Sequence, residues 1–183
     1  MRIAFTGAQG TGKTTLVYRF KEDERWNDYI CFDNVTRQLV KQGYKINKEA
    51  SDETQLQLVK LHRENLKNEN FLADRCIIDC YVYGTYQYRR GKILESTEEQ
   101  MLEALLTLTS KYDLIFYLTP EFDLIDDGVR SIDEQFRKDI CDIFEETIQR
   151  VSSLNPNIVH LTGSVEDRVA QAYQAIERIS NAH

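Results

Sequence analysis

Nine residues near the amino terminus constrain this chain most: Gly7-Ala8-Gln9-Gly10-Thr11-Gly12-Lys13-Thr14-Thr15. They form the complete G-x-x-x-x-G-K-[ST] pattern, directly after the apolar run Ile3 to Thr6 and before a helical stretch from about Lys13 to Phe20. That strand–loop–helix setting lets a backbone curl around a phosphate group. Gly7, Gly10 and Gly12 lack Cβ, so the loop can reach positive φ and turn its N–H groups inward. A helix beginning near Lys13 adds the positive end of its dipole. Lys13 is placed to reach β- and γ-phosphates, and the Thr14 hydroxyl to hold Mg²⁺. The nucleotide contacts expected from this loop are Gly7, Gln9, Gly10, Thr11, Gly12, Lys13, Thr14 and Thr15.

The rest of the chain alternates short apolar strands with amphipathic helices. Strands are predicted at Tyr29 to Phe32, Phe71 to Ala73, Leu114 to Leu118 and Ile158 to Leu161. Helices are predicted from about Val35 to Lys41, Asp52 to Asn68 and Ile77 to Arg90. The first of the two capping boxes, Asp52 with Gln55, opens the middle one; the second, Thr97 with Gln100, precedes Met101 to Leu108. Helical spacing follows through Phe136, Ile140, Phe144 and Ile148, and again through Val165, Val169, Ala172 and Ile176. This pattern predicts a three-layer α/β fold, an approximately five-stranded parallel sheet with helices on both faces. A length of 183 residues suits a single domain over 1–183.

Lys and Arg number 23 against 30 Asp and Glu, a net charge of −7. Such a balance opposes non-specific binding to nucleic acid or anionic membranes but allows one nucleotide in a local basic cleft. With no apolar run of membrane-spanning length, a cytoplasmic location is expected. Cys31, Cys76, Cys80 and Cys141 form no CxxC pair, so neither a disulfide nor a structural metal is expected.

The phosphate-binding loop alone does not separate kinases, GTPases and motor ATPases. The guanine-reading N-K-x-D is missing, since Asn47-Lys48 continues Glu49-Ala50, and there is no D-x-x-G. The chain is also short for a machine with a separate helical lid domain. A small kinase remains, and three segments fit one. Phe71-Leu72-Ala73-Asp74-Arg75 ends a strand on the ligand side of a doubly wound sheet. There Asp74 can bind the Mg²⁺ shell or take an acceptor's proton, and Arg75 can neutralise a phosphate. Asp79 either touches substrate or complements the start of its helix, and Tyr83 is the tyrosine of the Tyr81-to-Tyr88 group best placed to contact an acceptor. The polar segment from Glu121 onward suits a mobile lid over about 121–137, from which Arg130 and Arg137 can swing onto the transferring phosphoryl group. Arg37, after the second strand, is an acceptor-contact candidate. His62 reads as a packed or surface residue.

The set GAQGTGKTT (7–15), VTR (35–37), DRCIIDCYVYG (74–84) and DDGVR (126–130) resembles the small kinase-like AAA-domain proteins that include ribosylnicotinamide kinase domains. Asp74-Arg75, with Tyr83 nine residues after the aspartate, is also similar to thymidylate kinase. The resemblance implies a P-loop NTPase fold, ATP with Mg²⁺ as phosphoryl donor, and a nucleoside- or nucleotide-type acceptor. It further implies a lid around Asp127 to Arg137, adenine contacts near Leu161-Thr162-Gly163, and an origin in a bacteriophage genome. Relatives often carry a Glu three residues before the Arg matching Arg37, whereas this chain has Asn34, an amide that cannot act as a base. The expected function is transfer of the γ-phosphoryl group of ATP to that small acceptor. Two alternatives stand beside it: a hydroxyl on nucleic acid as acceptor, which the acidic balance disfavours, and a regulatory ATPase with no acceptor.

Overall fold

Alternation along the chain resolves into five strands and seven helices among the residues described, which are 1–33, 35–46, 50–120 and 134–181, with Arg37 by its backbone alone. In this computed structural model the order is β1 (Arg2–Thr6), α1 (Lys13–Lys21), β2 (Ile30–Phe32), α2 (Val35–Lys41), α3 (Asp52–Asn65), β3 (Phe71–Asp74) and α4 (Ile77–Arg89). There follow α5 (Glu95–Leu108), β4 (Leu114–Leu118), α6 (Glu134–Val151), β5 (Ile158–Leu161) and α7 (Val165–Ser180). The strands lie side by side as β2-β3-β1-β4-β5, and every neighbouring pair is parallel. Phe5 of β1 stands opposite Asp74 of β3 on one side and Phe116 of β4 on the other. The carboxyl ends of the three central strands therefore finish together, at the edge where the glycine-rich loop begins.

Because both faces of the sheet are covered, successive residues of a strand enter different cores. Ile3, Phe5, Leu72, Leu114, Phe116 and Leu118 pack with residues of α1 and α7. Ala4, Phe71, Ala73, Ile115 and Tyr117 pack with α4, α5 and α6 on the opposite face. Phe20 anchors the first core. Its ring lies parallel to Tyr173 at 4.8 Å and meets Phe5 and Trp26 at 5.3 Å each. Trp26 Nε1 donates to the Tyr173 hydroxyl (3.1 Å), which donates to Asp23 (2.8 Å).

Both expected capping boxes turn out otherwise. Ser51, one residue earlier than Asp52, caps α3 by accepting the Thr54 N–H. The Asp52 carboxylate instead accepts the Leu94 N–H at 2.8 Å, which ties the start of α3 to the start of α5. Helix α5 begins at Glu95, so Thr97 is already inside it and buried, and Gln100 donates to the Ser96 carbonyl rather than capping. Neither N-cap, Ser51 or Leu94, has a Glu or Gln three residues on, so tertiary packing rather than the capping-box spacing sets where these helices begin. At the far end of the expected lid, residues 134–137 form the first turn of α6. Its remaining part, 121–133, lies outside the described residues. Among the described residues no helix is long and apolar enough to cross a membrane.

Phe20→Ala should destabilise the chain by about 3–5 kcal/mol, since it removes the ring that joins α1 to both the sheet and α7. Urea unfolding measures this directly. A loss under 1 kcal/mol would show that Phe20 is not a core anchor.

Candidate active site

The glycine-rich loop closes on itself in the way the sequence requires. Gly7 has φ of 143°, and a Cβ there would lie 2.3 Å from the Leu118 carbonyl oxygen, so the loop can leave β1 beside β4 only with glycine. Gly10 and Gly12 also have positive φ, 74° and 90°. Lys13 is buried, and its Nζ donates to the carbonyls of Gly7 (2.8 Å) and Ala8 (2.7 Å). The Thr11 hydroxyl donates to the Ala8 carbonyl at 2.9 Å. Gln9 and Thr11 are buried in the loop wall, while Thr15 is exposed on α1. An ammonium held inside the loop beside its inward-turned backbone gives the positive potential that a phosphate group needs.

Strand register brings the first carboxylate to this loop. Asp74 ends β3 opposite Phe5, and its Oδ2 accepts the Thr14 hydroxyl at 2.5 Å across sixty residues of chain. A hydroxyl and a carboxylate held this near each other are hard oxygen donors of the type Mg²⁺ selects, so these residues fit that ion. Asp33, one residue past β2, adds a second carboxylate at the same end of the sheet, ion-paired with Lys21 at 3.2 Å.

Beyond Asp74 the chain turns sharply. Arg75 has φ of 91°, the positive-φ non-glycine residue among those described, and its N–H donates to the Phe5 carbonyl at 2.9 Å. The turn sends the Arg75 side chain into a cavity of about 490 Å³, open solvent at its mouth included, between α2, α3 and α4. Arg75, Asp79 and Tyr83 all line it, so three sequence-predicted acceptor contacts come together. Asp79 takes the helix-start role that the sequence allowed, and it also lines the cavity. Its Oδ2 accepts the Cys76 N–H at the start of α4 (3.0 Å) and the Thr6 hydroxyl (2.7 Å), while Oδ1 faces Arg75 Nη1 at 3.5 Å. Burial pushes the Asp79 carboxyl up, and the nearby charges of Arg75 and Lys13 oppose that rise. The Arg75 guanidinium also lies over the Tyr83 ring at 5.2 Å.

Two residues on this wall carried no functional signal in the sequence. Gln55 is buried, and its Oε1 meets no hydrogen-bond donor among the described residues. In the sequence Gln55 reads as the partner of Asp52 in a capping box. His62, one helical face along at i+7, is 3 % exposed, and burial together with the Arg75 charge pushes its imidazole down to about 4. A neutral histidine is therefore part of the wall near neutral pH.

The other expected contacts are placed less tightly. Arg137 is half-buried on α6, near Cys141, whose thiol feels the charges of both Arg137 and Lys13. Gly163 has φ of 87°, and a Cβ there would lie 2.9 Å from an Asp167 oxygen that accepts from Ser164, so the cap of α7 already demands this glycine. Arg130 and the side chain of Arg37 lie outside the described residues. Tyr81 and Tyr86 are buried within the α4 packing, which is the structural role expected of most of that group. Burial pushes the Cys76 and Cys80 thiols far up, so both stay protonated.

With this geometry in view, comparison with known proteins is decisive for the family: residues 2–168 match the family described as AAA domain. The chain belongs to it. Among curated proteins none matches. Several solved structures share the fold. Deoxyadenosine kinase from M. mycoides, with products dCMP and a flexible dCDP bound, is 18 % identical with a TM-score of 0.71, covering 98 % of this chain and 100 % of that one. NadR protein in complex with NR is 19 % identical with a TM-score of 0.71 over 98 % of this chain, which spans about half, 51 %, of NadR. Thymidylate kinase from Ehrlichia chaffeensis is 16 % identical with a TM-score of 0.62, covering 96 % and 98 %. This AAA domain therefore has the fold of the small P-loop kinases, as its motifs predicted. The relatives lend no support to a bacteriophage origin.

Protonation of His62 gives a stability test for the AAA domain. The unfolded imidazole takes a proton near pH 6.5 and the folded one only near 4, so between these values the unfolded chain binds more protons. Stability contributed by the neutral form is thus present above about 6.5 and lost as pH falls toward 4. The gap corresponds to about 3 kcal/mol. Urea unfolding at pH 7 and 4.5 should show wild type losing roughly 2–3 kcal/mol more than His62→Gln. Equal losses would mean that His62 is charged or solvated in the folded chain.

Proposed function

We propose that the chain is a P-loop phosphotransferase that moves the γ-phosphoryl group of ATP, in the presence of Mg²⁺, to a hydroxyl of a small nucleoside- or nucleotide-type acceptor. The observation that carries this reading is the juxtaposition of two recesses at one sheet edge. Asp74 is hydrogen-bonded to Thr14 at the end of the glycine-rich loop, and the next residue, Arg75, walls the cavity with Asp79 and Tyr83. Transfer needs these two sites side by side, because the acceptor oxygen must meet the γ-phosphorus as the bond to the β-phosphate bridging oxygen breaks.

Each residue then has a definite task. Lys13 exchanges the Gly7 and Ala8 carbonyls for phosphate oxygens. Asp74 orients the acceptor hydroxyl and receives its proton, and Thr14 supplies a hydroxyl beside it. Thr14 and Asp74 would hold Mg²⁺, which would supply positive charge against that of the phosphates. Arg75 offers the acceptor pocket a cation whose position Asp79 fixes. The unpartnered Gln55 Oε1 favours an acceptor bearing an N–H donor at its buried end, as nucleobase rings do. Apolar Val35, Ala50 and Leu58 give the pocket the flat sides such a ring fills. An enclosed cavity on an acidic chain favours this reading over a nucleic-acid acceptor, and the presence of a second recess favours it over an ATPase that has none.

γ-Labelled ATP incubated with nucleosides, deoxynucleotides, nicotinamide riboside and oligonucleotides tests the proposal, with label expected on a small acceptor. Label on the oligonucleotide alone, or hydrolysis that no acceptor stimulates, would select one of the alternatives instead.

Lys13→Ala should cut turnover by about 10²-fold or more, the scale of one preorganised electrostatic contact. Wild-type turnover in that variant ends the phosphate-loop assignment. Asp74→Asn should keep the fold and nucleotide binding while turnover falls steeply, because shape is preserved and charge is removed. If turnover survives and the melting temperature drops, Asp74 is structural.

A further inference from the structure

Arg168 on α7 is 1 % exposed, the largest fully buried side chain among the described residues, and no step above uses it. Its Nη1 donates to the Thr11 carbonyl at 2.6 Å, and its Nη2 to the Thr119 carbonyl at 3.3 Å. One guanidinium thus joins the glycine-rich loop to the residue that follows β4. Enclosing a cation of this size is costly, and salt-bridged packing alone does not call for a main-chain carbonyl of this particular loop as its partner.

The Thr11–Gly12 peptide explains the choice. No cis peptide occurs among the described residues, and across a trans peptide the carbonyl and the following N–H point in opposite directions. A guanidinium that holds the Thr11 oxygen toward α7 therefore aims the Gly12 N–H the other way, toward the loop's hollow. Gly12, at φ 90° and ψ 10°, stands at the amino end of α1, where that N–H belongs to the anion-binding set. Pulling charge onto the Thr11 oxygen also polarises the peptide and makes the Gly12 N–H a better donor. We infer that Arg168 is a positioning residue for phosphate recognition: it sets the direction and strength of the Gly12 N–H through the Thr11 carbonyl, without touching the nucleotide. This rests on the nucleotide reading above, but on neither the acceptor nor the transfer step.

The test is equilibrium binding without acceptor, comparing ADP by calorimetry with adenosine by ligand-observed NMR, for wild type, Arg168→Met, Arg168→Lys and Lys13→Ala. Arg168→Met should weaken ADP about tenfold and leave adenosine unchanged, so that the phosphate-dependent part of the affinity shrinks. Arg168→Lys keeps a cation but one donor centre and should fall between, which also decides the matter if the Met variant does not fold. A lower melting temperature with the ADP-to-adenosine ratio intact in a folded variant would make Arg168 merely structural and overturn the inference. If Lys13→Ala weakens ADP and neither Arg168 variant does, the inference alone fails. If Lys13→Ala also leaves ADP unchanged, the loop is not a phosphate site and both readings fall together.

Discussion

Parallel pairing of β1 with β3 fixes what every part of the site can reach. With Phe5 opposite Asp74, the loop leaving β1 and the turn leaving β3 start at the same height, and their side chains meet over a few ångströms. A slip of one residue would turn Asp74 to the other face of the sheet and separate it from Thr14. Two hydrogen bonds lock this register at the edge itself. Arg75 N–H donates to the Phe5 carbonyl, and the Thr6 hydroxyl donates to Asp79 at 2.7 Å. The second of these crosses from the strand that feeds the phosphate loop to the helix that walls the acceptor cavity, so neither recess can shift without the other.

This edge gathers buried cations among its carboxylates Asp33, Asp74 and Asp79. The chain is net acidic, yet Lys13 and Arg168 lie buried around the loop and Arg75 stands in the adjoining cavity. Each is held by oxygens of fixed position: Lys13 by the Gly7 and Ala8 carbonyls, Arg168 by those of Thr11 and Thr119, Arg75 by Asp79. Carbonyl dipoles stabilise a cation by charge–dipole attraction, which is how the Gly7, Ala8, Thr11 and Thr119 oxygens act on Lys13 and Arg168. Arg75 differs, since a carboxylate offsets it. On the proposed reading, the loop side would take the polyanion, and Arg75 with Asp79 beside it would orient the acceptor.

What the sequence revealed follows from how local each signal is. The loop is a contiguous motif, and the strands are short apolar runs bounded by polar turns, so Leu114–Leu118 and Ile158–Leu161 fall where they were expected. Asp74, Arg75, Asp79 and Tyr83 were legible because one strand end and one helix turn carry them all. Gln55, His62 and Arg168 were not. Each is a single polar residue on a helix whose other positions follow the apolar period, and nothing local separates a buried polar group from a solvated one. Their roles depend on which element packs opposite, and for Arg168 that element is 157 residues away. The Asp52 capping box failed for the related reason that Ser51, which lacks a Glu or Gln three residues on, caps the helix with its hydroxyl, while the N–H of Leu94 before a different helix claims Asp52.

Arg75 shows what the acceptor side demands of the backbone. A non-glycine residue at φ 91° carries strain of roughly 1–3 kcal/mol, and glycine at this position would relieve it. The fold tolerates that cost because three separate contacts hold Arg75 in place: its N–H on the Phe5 carbonyl, its guanidinium 3.5 Å from Asp79, and its stacking over Tyr83. None of these would be needed to end a strand and begin a helix. What the strained turn achieves is direction. An arginine continuing β3 in extended geometry would project along the sheet edge, whereas the left-handed turn swings it into the cavity that Gln55 and His62 close from α3. A neutral imidazole suits that position, because a second cation beside Arg75 would repel it, and the Arg75 charge is itself one cause of the lowered His62 affinity for protons. The cavity is thus organised around Arg75 and its Asp79 partner, and the strained turn is what puts the guanidinium there.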